Sequence, residues 1–114
     1  MSIEPFYVKE EGRWLCTVND VELIFGGDTP AVDLAHKILP RLKELVKQAR
    51  QYLEPNCQDG LNLLAIDFGH RPDLEPGQFE LLFTLGDDTG GLWGVRFAPV
   101  KGEVAPIEFR RKQW

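Results

Sequence analysis

One stretch constrains everything else in the chain. Residues 29–53, TPAVDLAHKILPRLKELVKQARQYL, form the only long helical pattern. Apolar residues fall at Ala31, Leu34, Ala35, Ile38, Leu42, Leu45, Val46, Ala49, Tyr52 and Leu53. Spacings of three and four put them on one stripe of a helix, which the rest of the chain must bury. Asp28 or Thr29 is placed to cap the first turn, with Pro30 at the first helical position, where a missing N–H costs nothing. Glu54-Pro55 ends the pattern, because the residue before a proline avoids the α region. Pro40 lies inside it and removes a backbone bond, which predicts a kink near residues 38–40 of one curved helix, with two separate helices as the alternative. The polar side is basic: Lys37, Arg41, Lys43, Lys47 and Arg50 against Asp33 and Glu44. It reads first as a solvated face complementing the helix dipole, and second as a surface for an anionic partner.

The remaining segments alternate as strands do. Residues 5–10 and 13–18 flank Glu11-Gly12 as a hairpin, and Asn19-Asp20 is a tight turn into residues 21–25. After the helix come strands at 61–68, 78–85, 91–97 and 104–110, separated by a proline-punctuated loop (69–77) and turns at 86–90 and 98–103. Pro106 marks the last strand as an edge or bulged strand. The order is βββ-α-ββββ, which predicts a single α+β domain over residues 1–114. Its sheet is antiparallel, mostly a meander of six or seven strands, with the long helix across one face. A chain of 114 residues supports one modest core.

One helix covers one face, so the alternation decides what faces it. Phe79, Leu81, Phe83 and Leu85 share a face, as do Trp93, Val95 and Phe97; Trp14, Cys16 and Val18; and Val21, Leu23 and Phe25. If the helix takes this bulky face, Tyr7, Leu15, Ile24, Leu82 and Leu92 point the other way. Those five are the candidate partner-binding residues, since a contiguous apolar patch on a sheet marks an interaction surface. The competing reading is that they are strand formers scattered among Lys9, Arg13, Glu22, Glu80 and Arg96.

A catalytic set is hard to assemble. His36 lies on the helix at the border of its stripe. His70 sits in a polar loop with Asp67, Asp73 and Glu75, a group that could hold a divalent metal or act as an acid–base pair, but no HxH, HExxH or paired Cys/His spacing accompanies it. Residues 87–91, DDTGG, read as an acidic hairpin turn without calcium-loop spacing. Gly26-Gly27 precedes the helix without the Lys-Ser/Thr of a phosphate loop, and Asp28 would repel a phosphate there. The chain's one serine is Ser2. No catalytic residue, metal or cofactor is therefore expected. A net charge of −5 and pI near 5.0 argue against nucleic-acid binding. The charge is uneven, with an acidic middle between the basic helix and a basic end (Arg96, Lys101, Arg110, Arg111, Lys112). No apolar run reaches membrane-span length, and MSIEPFYVKEEG has no signal-peptide pattern, so a cytoplasmic location with reduced Cys16 and Cys57 is expected.

The succession Gly26-Gly27-Asp28-Thr29-Pro30 into a long helix, then residues 61–68, then LLFTLGDDTGGLWGVRF, resembles small uncharacterised bacterial domains, some grouped with immunity proteins that neutralise toxins. The resemblance implies a stoichiometric binder without catalytic residues and carries over no individual site. The expected function is accordingly a small non-enzymatic protein-binding domain, immunity-like in one version, and a monomer before a homodimer. The alternative is a metal- or ligand-binding domain or enzyme using Asp67, His70, Asp73 and Glu75.

Overall fold

The helical stretch divides the chain into two strand groups and dictates how they meet. The structure, a computed structural model, describes residues 3–53, 60–86 and 91–113, apart from the side chains of Lys112 and Gln113. Its strands are β1 (Phe6–Val8), β2 (Arg13–Val18), β3 (Val21–Phe25), β4 (Leu61–Asp67), β5 (Phe79–Leu85), β6 (Gly91–Val100) and β7 (Glu103–Gln113). They form one seven-stranded sheet in the order β1-β2-β3-β4-β5-β6-β7. The helical stretch runs between β3 and β4 as α1 (Val32–Ile38), a 3₁₀ turn (Leu39–Arg41) and α2 (Leu42–Tyr52).

Short turns make antiparallel neighbours on either side of the helix. Asn19 and Asp20 both take positive φ, 51° and 67°, giving the tight turn that matches strand twist. Lys101 and Gly102 do the same at 51° and 83°, so β6 and β7 run on to a two-residue turn where a longer one, 98–103, was expected. The meander fails at its centre. The helix carries the chain back across the sheet, and β3 and β4 pair parallel, with Leu23 beside Ile66 and Ile24 beside Asp67. A parallel pair requires such a crossover.

Pro40 is accommodated without breaking the stretch. It falls in the 3₁₀ turn, whose closing bond runs from the Leu42 N–H to the Leu39 carbonyl, so the ladder tightens where proline offers no donor. The start differs from expectation. Val32 donates to the Pro30 carbonyl at 2.9 Å, the helix begins after Ala31, and no side chain caps it. Asp28 and Thr29 therefore lie too far upstream to cap.

Ala35, Ile38, Leu45, Ala49 and Leu53 turn the helical stripe onto the sheet, where they meet Leu23, Phe25, Ile66, Phe79, Leu81, Phe83, Val95 and Phe97. Four phenylalanines form a column through this core. Centroids are 5.3 Å apart for Phe25–Phe68, 6.1 Å for Phe68–Phe79 and 5.2 Å for Phe79–Phe97. The basic residues Lys37, Arg41, Lys43, Lys47 and Arg50 are exposed, and Arg50 reaches back to the Leu61 carbonyl at 3.0 Å. Among the described residues no helix is long and apolar enough to cross a membrane. Cys16 is a free, half-buried thiol whose pKa burial pushes up; Cys57 lies outside the described residues.

Candidate functional site

Residues opposite one another in a sheet project to the same face, so the strand registers show what lies on the face away from the helix. One row crosses all seven strands: Phe6, Leu15, Ile24, Asp67, Glu80, Arg96, Glu108. The next row is Thr17, Glu22, Ala65, Leu82, Gly94, Arg110. The face is split. Phe6, Leu15, Ile24, Ala65 and Leu82 make an apolar run from β1 to β5, and Glu80, Arg96, Glu108 and Arg110 make a charged group over β5–β7.

On the apolar side, Ile24, Ala65, Leu82 and Leu92 form a second cluster with Leu15 packed against it, separate from the helix-covered core. Four of the five candidate partner-binding residues, Leu15, Ile24, Leu82 and Leu92, are therefore brought together. Tyr7 is not. It pairs with Trp14 in register and lies on the helix side, because β1 is offset by one residue from the expected alternation. Phe6 takes the place assigned to Tyr7 and is 61% exposed. Leu82 is only 4% exposed, so the open part of this surface is its Phe6–Leu15 end.

The charged side is an ion-pair lattice, not a scatter of polar positions. Glu80 is fully buried and accepts from Arg71 at 2.8 Å and from Arg110 at 2.9 and 3.0 Å. Arg71 also bonds Asp73 and Glu108, and Arg96 bonds Asp73. Three guanidiniums thus face three carboxylates, the condition under which buried charge is tolerated. Gly94 makes room for it, since a Cβ there would overlap the Glu80 carboxylate. Burial pulls the Arg71 pKa down, but hydrogen bonds to Asp73 and Glu108 and the charge of Glu80 outweigh it, and the net shift is upward. The Glu80 hydrogen bonds likewise raise that of Arg110.

Hydrogen bonding to Arg71, then to Arg96, holds the Asp73 carboxyl at about 2, against an ordinary 3.8. A depressed carboxylate contributes stability that is present above its unfolded value and is lost as pH falls through its folded one. Acid titration of the wild type is therefore expected to show a loss between about pH 4 and pH 2 that Asp73→Asn lacks, measured as the urea midpoint at each pH. Identical acid limbs for the two proteins would show that Asp73 is not held by the arginines in solution.

The alternative loop site does not assemble. Asp67 is 5% exposed, and its carboxylate accepts the backbone N–H groups of Gly69, His70 and Arg71 at 2.9, 2.7 and 2.9 Å. It is a turn-forming residue. Asp73 belongs to the arginine lattice, and His70 and Glu75 are exposed. Among the described residues no group of three or more His, Cys, Asp or Glu is placed to hold a metal. His36 is exposed on α1, and the acidic turn at 87–90 lies outside the described residues. No family model, no curated protein and no solved structure matches this chain.

Proposed function

We propose that this is a small non-enzymatic domain that binds a protein partner through the sheet face opposite its helix. One observation carries the reading: on that face, over which no described helix packs, the exposed Phe6 and half-buried Leu15 extend the buried cluster of Ile24, Ala65, Leu82 and Leu92 to the surface. A two-layer domain leaves such a face either polar or available. The arginine lattice beside it ties β5, β6, β7 and the 69–77 loop together and supplies a polar rim, as partner surfaces commonly have. Phe6, an exposed aromatic at the end of the run, is the natural anchor. In this reading the protein acts as a cytoplasmic monomer without cofactor, metal or nucleic acid. The immunity-type version follows from the resemblance, and in it the same face occludes a toxin stoichiometrically.

Phe6→Asp tests the site without touching the core. Its unfolding free energy is expected to stay within about 0.5 kcal/mol of wild type. Its affinity for the partner, identified by affinity capture and titrated with purified protein, is expected to fall about 30-fold, the loss of one anchor worth roughly 2 kcal/mol. A partner bound equally well by the variant, or turnover of a small molecule by the isolated domain, overturns the reading.

A further inference from the structure

The first strand places its two aromatic residues on opposite faces, and the second of them builds a recess that the partner surface does not use. Tyr7 lies directly across from Trp14. Their ring centroids are 5.3 Å apart and their planes meet at 62°, so the two rings meet edge to face at a corner. The Trp14 indole N–H donates to the Gly27 carbonyl at 3.2 Å, which fixes the ring and brings the loop after β3 alongside. Tyr7, Trp14, Gly27 and Asp28 together line a recess of about 290 Å³. Asp28 is the one charged group in that lining; it is exposed and has no ion-pair partner among the described residues.

Two aromatic rings in a corner, with one acidic residue in the same lining, match the needs of an organic cation. The ring faces carry negative potential, and a cation with a poorly hydrated surface loses little on entering. The carboxylate supplies Coulomb attraction and selects against anions. The recess, about 290 Å³, lies just below the volumes that hold drug-sized ligands, roughly 300–1,000 Å³, so it suits one alkylammonium group. We propose that the Tyr7–Trp14–Asp28 recess binds an alkylammonium cation, with methylated ammonium favoured over bare ammonium because it sheds water more readily. The cation is either a free small molecule or a methylated lysine side chain of a polypeptide, and both have this chemistry. The site lies on the helix side of the sheet, away from Phe6, and stands independently of the proposed partner face.

The test is a titration of ¹⁵N-labelled protein, following the Trp14 indole N–H, with choline, with a short peptide containing trimethyllysine, and with 3,3-dimethylbutanol, the neutral isostere of choline. A saturable shift is expected for a cationic probe at millimolar concentration, with the isostere about tenfold weaker or inert. Tyr7→Leu abolishes the response, Tyr7→Phe retains it, and Asp28→Asn weakens it several-fold. Tyr7 is half exposed, and unchanged shifts elsewhere in the spectrum confirm that each variant is folded. Equal saturation by choline and the peptide identifies a free cation as sufficient, whereas saturation by the peptide alone assigns the site to a side chain. No saturable shift with either cation, an equal response to the isostere, or full binding by Tyr7→Leu overturns the proposal.

Discussion

Replacing Glu80 with alanine is expected to lower the unfolding free energy by about 3–5 kcal/mol. The side chain is fully buried and is the shared acceptor of Arg71 and Arg110. Removing it leaves two guanidiniums facing each other across an emptied site beside Gly94, and uncompensated buried charge is what makes broken ion pairs costly. Arg71 retains Asp73 and Glu108, and Arg110 is a third exposed, which favours the lower end of the range. In a domain of this size the loss corresponds to a fall in Tm of roughly 10–20 °C. Glu80→Gln preserves the shape and part of the hydrogen bonding and is expected to lose less. Urea denaturation of the three proteins measures the differences directly. A loss below about 1 kcal/mol for the alanine variant would show that the arginines find other partners or water.

The residue before it in sequence gives an effect of similar size for an unrelated reason. Phe79 is completely buried and stands between Phe68 and Phe97 in the aromatic column. Phe79→Ala is expected to cost about 3–5 kcal/mol, from the lost transfer of the ring and the cavity it leaves. The cavity is flanked by two other rings on a rigid sheet, so collapse onto it is limited. The same substitution at Phe97 is expected to be non-additive with it, because the stacked pair loses its mutual contact in either single variant. A double-mutant cycle by urea unfolding checks this, and strict additivity would mean that the stacked geometry contributes nothing beyond area. A single step along β5 thus moves from a dispersion-packed core to a buried ionic lattice, and each loss has its own control: Gln for the charge, Leu for the volume.

The helical stretch, its irregularity at Pro40, the strands and the bulky faces of β2, β3, β5 and β6 follow from periodicity and from glycine and proline, which act locally. The Phe79–Leu81–Phe83 face and the Trp93–Val95–Phe97 face were readable because alternation fixes which side chains travel together. The end of β6 was not readable, because Lys101 takes a positive φ that its residue type rarely signals. The position of Tyr7 was missed for a related reason. Alternation groups residues within a strand, but the register between strands decides which group meets which face, and β1 is only three residues long.

By itself the sequence determined one long helical stretch, the strands before and after it, and a sheet with a single strongly apolar face. The charged residues were all visible, yet nothing local indicated that Arg71, from a loop, and Arg110, from the last strand, would close on Glu80. The tertiary structure alone decided that lattice, the parallel pairing of β3 with β4 and the corner made by Tyr7 and Trp14. Each depends on strand register, and the parallel pair also on a chain crossover; residues far apart in sequence meet, 37 positions for Arg71 and Glu108 and 43 for Leu23 and Ile66. Hydrophobic periodicity is a property of neighbours along the chain, whereas electrostatic pairing is a property of neighbours in space.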